Sequence, residues 1–383
     1  MKAFENALVY VEGEGLKKTN LVFDERIQKI GANVADAEVI ALPTDAVVLP
    51  GFIDQHVHGA GGSDAMDGDE QALETIANTL AQEGTTAFLA TTMTQSVENI
   101  TKALSAVKAY REKNKKNGAE LVGVHLEGPF IAAAHKGAQP LEYVAKPDVE
   151  RFDAYNEASG NAIKIVTLAP EEEGADVLIA HLAKKQVIAS LGHSGAKTAD
   201  VKRAIEAGAK NVTHTYNAQS ALHHREIGVV GSALLYDELT CELIADAIHV
   251  SVPAMQLLIK SKPKDKLCLI TDAMRAKGIA DGVSELGGQA VYVKNGEARL
   301  ADGTLAGSVL RMNNAVKNTV EKSGVPFLQA VDYATINPAK GLGLDKDMGS
   351  IKEGKLANFA VLDSAFNVLY TVRKGEVVYR RGE

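Results

Sequence analysis

Short apolar runs alternate with amphipathic segments between about residue 51 and residue 273. In the amphipathic segments the apolar residues recur every three or four positions, which predicts helices, whereas the apolar runs have the length of buried strands. The predicted strands span residues 51–58, 85–93, 121–130, 162–169, 186–193, 211–217, 242–249 and 267–273. Eight strands that alternate with helices predict an α/β fold, a TIM-like (β/α)8 barrel, with a doubly wound open sheet as the alternative.

Helical spacing continues after the eighth predicted strand, but an alternating segment interrupts it. Examples of predicted helices are residues 69–82, 97–116, 175–185, 199–207 and 253–260, followed by 309–322 and 326–334. Residues 284–302 instead alternate around Asn295 and Gly296, a dipeptide typical of hairpin turns. We therefore expect a β-hairpin between the eighth strand and the last helices.

The two ends of the chain differ from its middle. Residues 1–49 and 348–383 contain short alternating strands separated by glycine turns, and neither end is long enough to bury a core alone. The economical arrangement pairs them in one small β-sandwich. We therefore predict a terminal domain of residues 1–50 plus 347–383 and a barrel domain of residues 51–346.

Composition narrows the class of protein. Hydrophobic residues make up 46% of the 383, enough for a substantial core, and the formal net charge of −8 argues against a nucleic-acid surface. Cys241 and Cys268 both lie in apolar runs, which favours buried, reduced thiols. The first residues contain no continuous apolar segment of the signal-peptide type, and no apolar run of about 18 residues occurs, so we expect a cytoplasmic protein without membrane contact.

The first predicted barrel strand ends in two histidines, His56 and His58, followed by a glycine. Residues i and i+2 of a strand point to the same face, so both imidazoles can converge on one point. Neutral imidazole is the commonest protein ligand for transition metals, although a single His-x-His pair also arises often by chance. The pair suggests a metal site only if other ligands lie at the same end of the fold.

Further candidate ligands do occur at the ends of the predicted strands. The active site of a (β/α)8 barrel lies at the C-terminal ends of its strands. Imidazoles and carboxylates recur there on six of the eight strands, namely at His56 and His58, His125 and Glu127, His193, His214, Asp246 and His249, and Asp272. Because a buried carboxylate is costly without a partner, Glu127 in its apolar strand points either to a metal or to a salt bridge.

This coincidence predicts a metal site. The mixed nitrogen and oxygen ligands suit Zn²⁺, Fe²⁺, Mn²⁺ or Co²⁺, and the positions of the cysteines argue against a sulfur-rich site. Asp272 is a separate case because a carboxylate beside a metal can ligate it, act as general base on its water, or share both roles.

These residues lie in segments that resemble the amidohydrolase superfamily and, more closely, its family of N-acetylglucosamine-6-phosphate deacetylases. The matching segments are residues 50–59 (PGFIDQHVHG), 125–130 (HLEGPF), 135–138 (HKGA), 192–194 (GHS), 213–218 (THTYNA), 246–249 (DAIH), 271–274 (TDAM) and 303–308 (GTLAGS). The His-x-His pair and the aspartate of strand eight are specific to the superfamily only. The HxEGP and THxYNA segments are far more specific to the deacetylases.

The resemblance implies a metal-dependent hydrolase that removes acetate from N-acetyl-D-glucosamine 6-phosphate, in amino-sugar catabolism and cell-wall recycling. It implies that Glu127, His193 and His214 bind the principal divalent metal. His56 and His58 match the ligands of a second metal that Glu127 bridges, and since some family members lack this pair, the chain is expected to hold one or two metals per subunit. Asp272 matches the catalytic acid and base.

The resemblance also implies the contacts of the substrate. The matching positions are Ala138, Gln139, Asn217, Ala218, Arg225, His249, Leu305, Ala306 and Gly307. Gln139 departs from the pattern, since relatives often have histidine there. In this family the Arg225 loop reaches the site of a neighbouring subunit, so the resemblance implies a homodimer, with the guanidinium on the phosphate.

Two other functions remain open at this point. One is a different amidohydrolase, acting on a cyclic amide or an N-acyl amino acid. Cyclic-amide members typically bridge their metals with a modified lysine, whereas Glu127 has the corresponding position here. The other is a non-catalytic scaffold on the same fold, but such proteins usually lose ligands that this chain retains.

Overall fold

A computed structural model describes residues 1–113 and 115–382 of the chain. Residue 114, within the predicted helix 97–116, and residue 383, at the end of the predicted terminal domain, lie outside the described residues. None of the described helices combines the length and the apolar character needed to cross a bilayer.

The centre of the fold is a sheet of eight parallel strands, which confirms the predicted barrel. In chain order, as strands one to eight, they are Phe52–Val57, Thr85–Thr92, Glu120–Glu127, Ile163–Leu168, Ile188–Leu191, Asn211–Val212, Thr240–Ile244 and Leu267–Ile270. Each pairs with the next. Beyond strand eight, Asp272 N donates to His56 O and His58 N donates to Ala273 O, both at 2.9 Å, and these bonds link the first and last strands.

Helices surround the sheet because each has an apolar face that is buried against it. The described helices are Glu70–Ala81, Val97–Glu112, Val149–Ala158, Ala175–Lys184, Thr198–Ala207, Gly228–Leu235, Val252–Ser261, Met312–Glu321, Phe327–Ala334 and Ile336–Gly341. Leu73, Ile76 and Leu80 of the first helix lie one turn apart and are all buried against the barrel. The side chains of Asp69 and Ser96 cap the first two helices by accepting backbone N–H bonds.

Strands from both ends of the chain form a second sheet, which confirms a separate β-rich terminal region. Its strands are Lys2–Val11, Gly15–Phe23, Ile27–Ile30, Glu38–Val39, Val47–Pro50, Phe359–Leu362, Val368–Arg373 and Glu376–Arg380. The segment Val47–Pro50 pairs with strands of both termini and continues directly into the first barrel strand. The rings of Phe4, Phe23 and Phe359 contact one another in a core of this sheet's own.

Two small antiparallel sheets lie near the C-terminal ends of the barrel strands. One pairs Gly59–Ala60 with Ser63–Asp64, and the other contains Gly282–Leu286, Gln289–Lys294 and Glu297–Arg299. The second includes the predicted hairpin, and Asn295 and Gly296 both have the positive φ that its turn requires. Its additional strand, Gly282–Leu286, brings Leu286 against Met93 and Met274 above the barrel.

Candidate metal centre and active site

A cavity of about 330 Å³ opens at the C-terminal ends of the barrel strands. Twelve of the predicted site residues line it: His58, Glu127, Ala138, Gln139, His193, His214, Asn217, Ala218, His249, Asp272, Leu305 and Gly307. His56 and Ala306 are fully buried just behind this lining. The structure therefore gathers into one site residues that the sequence separates by up to about 250 positions.

Glu127, His193 and His214 form the first cluster of potential metal ligands. Glu127 Oε1 lies 3.2 Å from His193 Nε2 and 3.0 Å from His214 Nε2, and the two imidazole nitrogens are 3.1 Å apart. His193 Nδ1 donates to the carbonyl oxygen of His135 at 2.9 Å. That bond leaves the Nε2 lone pair of a neutral imidazole directed at the cluster.

His56, His58 and Asp272 form a second cluster beside the first. Asp272 Oδ1 lies 3.2 Å from His58 Nε2 and 3.4 Å from His56 Nε2. His56 and His58 are adjacent on one face of the first strand and its extension, as their spacing predicted, with ring centroids 5.3 Å apart. All three side chains are buried or nearly so.

Glu127 faces both clusters. While Oε1 contacts His193 and His214, Oε2 lies 3.2 Å from His58 Nε2. Burial disfavours the ionised form of Glu127, but the surrounding histidines outweigh it and hold its pKa well below the usual value. One ionised carboxylate can therefore contribute an oxygen to each of two adjacent cations.

The donor set fits a divalent transition metal. His56 Nε2 is a buried nitrogen without a hydrogen-bond partner, and the carboxylate oxygens of Glu127 and Asp272 lie 3.5 Å and 3.4 Å from it. When His56 is neutral and donates through Nδ1, its Nε2 carries a lone pair. A lone pair does not attract the two carboxylate oxygens that face it. A cation between these groups satisfies the nitrogen and both oxygens.

Glu242 is a site residue that the sequence analysis missed. It lies within strand seven, wholly buried, and its Oε2 accepts a hydrogen bond from His56 Nδ1 at 3.1 Å. The predicted strand 242–249 began at this residue, which assigned Glu242 to the end of the strand remote from the site. The observed strand, Thr240–Ile244, ends earlier. The signal was available, because a glutamate in an apolar run needs a partner, the same reasoning that identified Glu127.

His125, another histidine at a strand end, lies inside the barrel and not on the cavity. Its Nδ1 bonds to Gln55 O at 3.1 Å and its Nε2 bonds to Thr167 Oγ1 at 2.7 Å. Burial is the largest of the effects that lower its pKa to about 4, so His125 is neutral. Both ring nitrogens are engaged, which identifies His125 as a structural residue of the barrel interior.

Three candidate metal-site residues, two histidines and an aspartate, have a left-handed backbone. His193, His214 and Asp272 follow the ends of strands five, six and eight with φ of 48°, 28° and 47°. Such values are uncommon for residues other than glycine and concentrate at functional sites, where the surrounding structure enforces them. Each turn directs a side chain from the end of its strand into the cavity.

Asp272 and His249 are ionisable groups that line the cavity. Burial raises the pKa of Asp272, but His56 and His58 outweigh it and lower that pKa to about 2, so the carboxylate is ionised. His249 Nδ1 bonds to Asp246 Oδ2 at 2.6 Å. Burial lowers the pKa of His249, but Asp246 outweighs it and raises the pKa above its usual value. His249 can therefore present an Nε2–H to a ligand in the cavity.

Gln139 contacts a metal-ligand candidate directly. Its Nε2 donates to Glu127 Oε2 at 2.8 Å, and its Oε1 accepts from Thr94 N at 2.7 Å. The backbone of Thr94 therefore fixes the orientation of the amide, which in turn holds the Glu127 oxygen that faces His58. Gln139 therefore supports the carboxylate of Glu127.

Arg225 lies apart from the cavity of its own chain. Its loop is exposed, and its guanidinium lies within hydrogen-bond distance of His224 Nε2, at 2.9 Å. No lysine or arginine lines the cavity within residues 1–113 and 115–382. A phosphorylated ligand bound in the cavity would therefore need a cation from elsewhere.

Comparison with known proteins identifies the family. The family model described as "Amidohydrolase family" matches residues 47–378. N-acetylglucosamine-6-phosphate deacetylase of Bacillus subtilis is 45% identical, with 89% of this chain and 86% of that protein covered. N-acetylgalactosamine-6-phosphate deacetylase of Escherichia coli O157:H7 is 41% identical, with 85% and 86% covered. The crystal structure of N-acetylglucosamine-6-phosphate deacetylase from Pasteurella multocida superposes with a TM-score of 0.92 at 33% identity, with 98% and 99% covered.

The family model spans the barrel and the C-terminal strands of the terminal sheet, and the structural match covers 98% of the chain. The chain therefore belongs to the amidohydrolase family and, within it, to the group of proteins that includes the N-acetylglucosamine-6-phosphate deacetylases.

Proposed function

We propose that this protein hydrolyses the acetamide of N-acetyl-D-glucosamine 6-phosphate to D-glucosamine 6-phosphate and acetate, in amino-sugar catabolism and cell-wall recycling. The observation that carries the proposal is the position of Glu127 between two clusters of potential metal ligands, the second of which includes the ionised Asp272. This arrangement supports hydrolysis at a metal. The names of the similar proteins support the choice of an N-acetylated sugar phosphate as substrate.

The proposed cofactor is one divalent transition metal, or two, chosen from Zn²⁺, Fe²⁺, Mn²⁺ and Co²⁺. Glu127, His193 and His214 would hold the principal metal. His56, His58 and Glu127 would hold the second, since Glu127 Oε2 lies 3.2 Å from His58 Nε2. Such a metal polarises the acetamide carbonyl and lowers the pKa of water toward about 7.

The side chains would divide the remaining chemistry. The Asp272 carboxylate accepts a proton from the attacking water and later donates it to the departing amine, which would otherwise be a poor leaving group. His249 donates from Nε2 to the carbonyl oxygen as negative charge develops there, and Asp246 holds its ring in that orientation. Asn217, Ala218 and Ala138 position the sugar, together with Gln139 and the segment Leu305, Ala306 and Gly307.

A second substrate has direct support. The similar protein of Escherichia coli is named for N-acetylgalactosamine 6-phosphate, which differs from the first sugar only in the configuration at C4. The metal ligands and Asp272 act on the acetamide at C2, so the same machinery serves either epimer. The choice between the two epimers depends on contacts with the sugar hydroxyls.

Acetate release tests the proposal. We expect the metal-restored protein to release one acetate per N-acetylglucosamine 6-phosphate consumed and the chelator-treated protein to release almost none, because the water needs a metal to ionise at neutral pH. N-acetylgalactosamine 6-phosphate in parallel reveals the C4 preference. Absence of acetate from both sugar phosphates, with metal content verified, would refute the function.

The proposal extends to the organisation of the protein. We propose a terminal domain of residues 1–50 plus 347–383, a barrel domain of residues 51–346, and a homodimer in which the Arg225 loop reaches the neighbouring site. The exposed Arg225 and the absence of a cationic side chain from the lining of the described cavity support that contact.

We also propose a cytoplasmic location, which suits the free, buried thiols of Cys241 and Cys268.

Replacing Arg225 tests the phosphate contact. We expect Arg225→Ala to lower kcat/KM for the phosphorylated sugar about 10- to 100-fold, the equivalent of one charge-assisted hydrogen bond, and to leave turnover of unphosphorylated N-acetylglucosamine unchanged. Arg203→Ala is the matched control. Arg203 is an exposed arginine on an outer helix, and it pairs with Asp200 of its own helix and Asp176 of the preceding helix in the chain. Equal losses for the two sugars would remove the phosphate role.

A further inference from the structure

A wholly buried carboxylate, that of Glu242, lies inside the barrel beneath the metal-ligand candidates. It accepts four hydrogen bonds. Oε1 accepts from Gln55 Nε2 at 2.8 Å and Asn211 Nδ2 at 3.1 Å, and Oε2 accepts from His56 Nδ1 at 3.1 Å and the backbone N–H of His214 at 3.2 Å. Four donors around one buried carboxylate are the pattern of a retained negative charge.

The bond to His56 has a directional consequence. An ionised carboxylate is an acceptor only, so His56 Nδ1 carries the hydrogen. When His56 is neutral, as a metal ligand must be, its Nε2 lone pair points the other way. In that direction lie Glu127 Oε1 at 3.5 Å and Asp272 Oδ1 at 3.4 Å. A carboxylate behind a ligating imidazole fixes its tautomer and its orientation and makes it a stronger ligand.

The two clusters depend on Glu242 to different degrees. In the first cluster His193 is oriented by the carbonyl of His135, and Glu242 reaches His214 only through the backbone. In the second cluster His58 Nδ1 has no hydrogen-bond partner among the described residues. Of the two histidines in this cluster, only His56 is therefore held by a hydrogen bond at the ring nitrogen that faces away from the site, and Glu242 accepts that bond. Its loss should affect the second cluster more.

We propose that Glu242 is a positioning residue that enables His56 and His58 to hold a second metal ion. The inference rests on the proposed function, because it assumes that this pair binds metal. Glu242 acts through His56 and does not line the cavity, so it contacts neither the substrate nor the reacting atoms. Removing its charge should therefore weaken binding of the second metal and spare the first.

The experiment measures Zn²⁺ binding to metal-free protein, with the bound metal counted by elemental analysis after dialysis. We expect the unsubstituted chain to bind two equivalents of Zn²⁺. We expect Glu242→Gln to bind the first equivalent as tightly as the unsubstituted chain does, and the second about 10- to 100-fold more weakly. His56→Ala should lose the same equivalent. The double variant should match His56→Ala, because Glu242 then has no imidazole to orient.

Two further variants keep the result interpretable. Gln55→Met removes a hydrogen bond from the other oxygen of Glu242, so it should retain both equivalents. Glu242→Asp keeps the buried charge, but its side chain is one methylene shorter. It should therefore weaken binding of the second Zn²⁺ equivalent although the buried charge is unchanged. Thermal unfolding of each metal-free variant verifies the fold.

The outcomes separate the proposals. Two equivalents of undiminished affinity in Glu242→Gln, equal weakening of both, or a single equivalent in the unsubstituted chain would each overturn the positioning role. Acetate release by the unsubstituted protein is measured independently, so failure of the deacetylase function would be recognised separately.

Discussion

Replacing Asp272 by asparagine is expected to lower kcat about 1,000-fold, the middle of the usual range of about 100- to 10,000-fold for general acid–base catalysis. This corresponds to about 4 kcal/mol of activation free energy. Asparagine has almost the same shape, but its amide cannot accept the proton of water at neutral pH. The Kd of the sugar phosphate, measured by calorimetry, should stay close to that of the unsubstituted chain.

The same measurements distinguish catalysis from metal loss. Asp272 Oδ1 lies 3.2 Å from His58 Nε2, so the substitution can also weaken the second metal, and metal content must be measured with turnover. Asp148→Asn is the matched control, since Asp148 caps an outer helix and asparagine caps equally well. If Asp272→Asn retained kcat within tenfold of the unsubstituted protein, another group would have to move the proton.

Much of the fold was predictable because barrel strands and helices produce different spacings of apolar residues. The eight predicted strands each overlap an observed one, although strand six is only Asn211–Val212 while the prediction extended to residue 217. The difference has a physical reason. His214 and Tyr216 have positive φ, which takes the chain out of the strand, and His214 then reaches the cavity. The polar end of the apolar run therefore forms a turn at the site instead of extending the sheet.

The clustering of the site was also predictable, because parallel strands of a barrel present their C-terminal ends at one face. What sequence cannot supply is the partner of each polar side chain. Gln139 matches a substrate-contacting position in sequence, yet its amide bonds to Glu127 across 12 positions of the chain. Glu242 bonds to His56 across 186 positions, a pairing that only barrel closure creates.

Replacing Glu127 by glutamine is expected to remove both metals, in contrast to Glu242→Gln. The carboxylate lies within 3.2 Å of imidazole nitrogens in both clusters, and an amide offers a single neutral oxygen in its place. Because a bound metal contributes several kcal/mol to transition-state stabilisation, kcat/KM for the sugar phosphate should fall at least about 1,000-fold. Elemental analysis should find little bound Zn²⁺ after dialysis.

The control for this variant lies on the same strand. Glu120 begins the strand that Glu127 ends, and it pairs with Lys374 at 2.8 Å, remote from the cavity, so Glu120→Gln makes the same chemical change without a metal ligand. Zn²⁺ should raise the unfolding temperature of Glu120→Gln as it does that of the unsubstituted chain, since a ligand that binds only the folded state stabilises it. In Glu127→Gln that rise should disappear. A full metal complement in Glu127→Gln would mean that the histidines alone hold both ions, and the bridging role of this carboxylate would have to be abandoned.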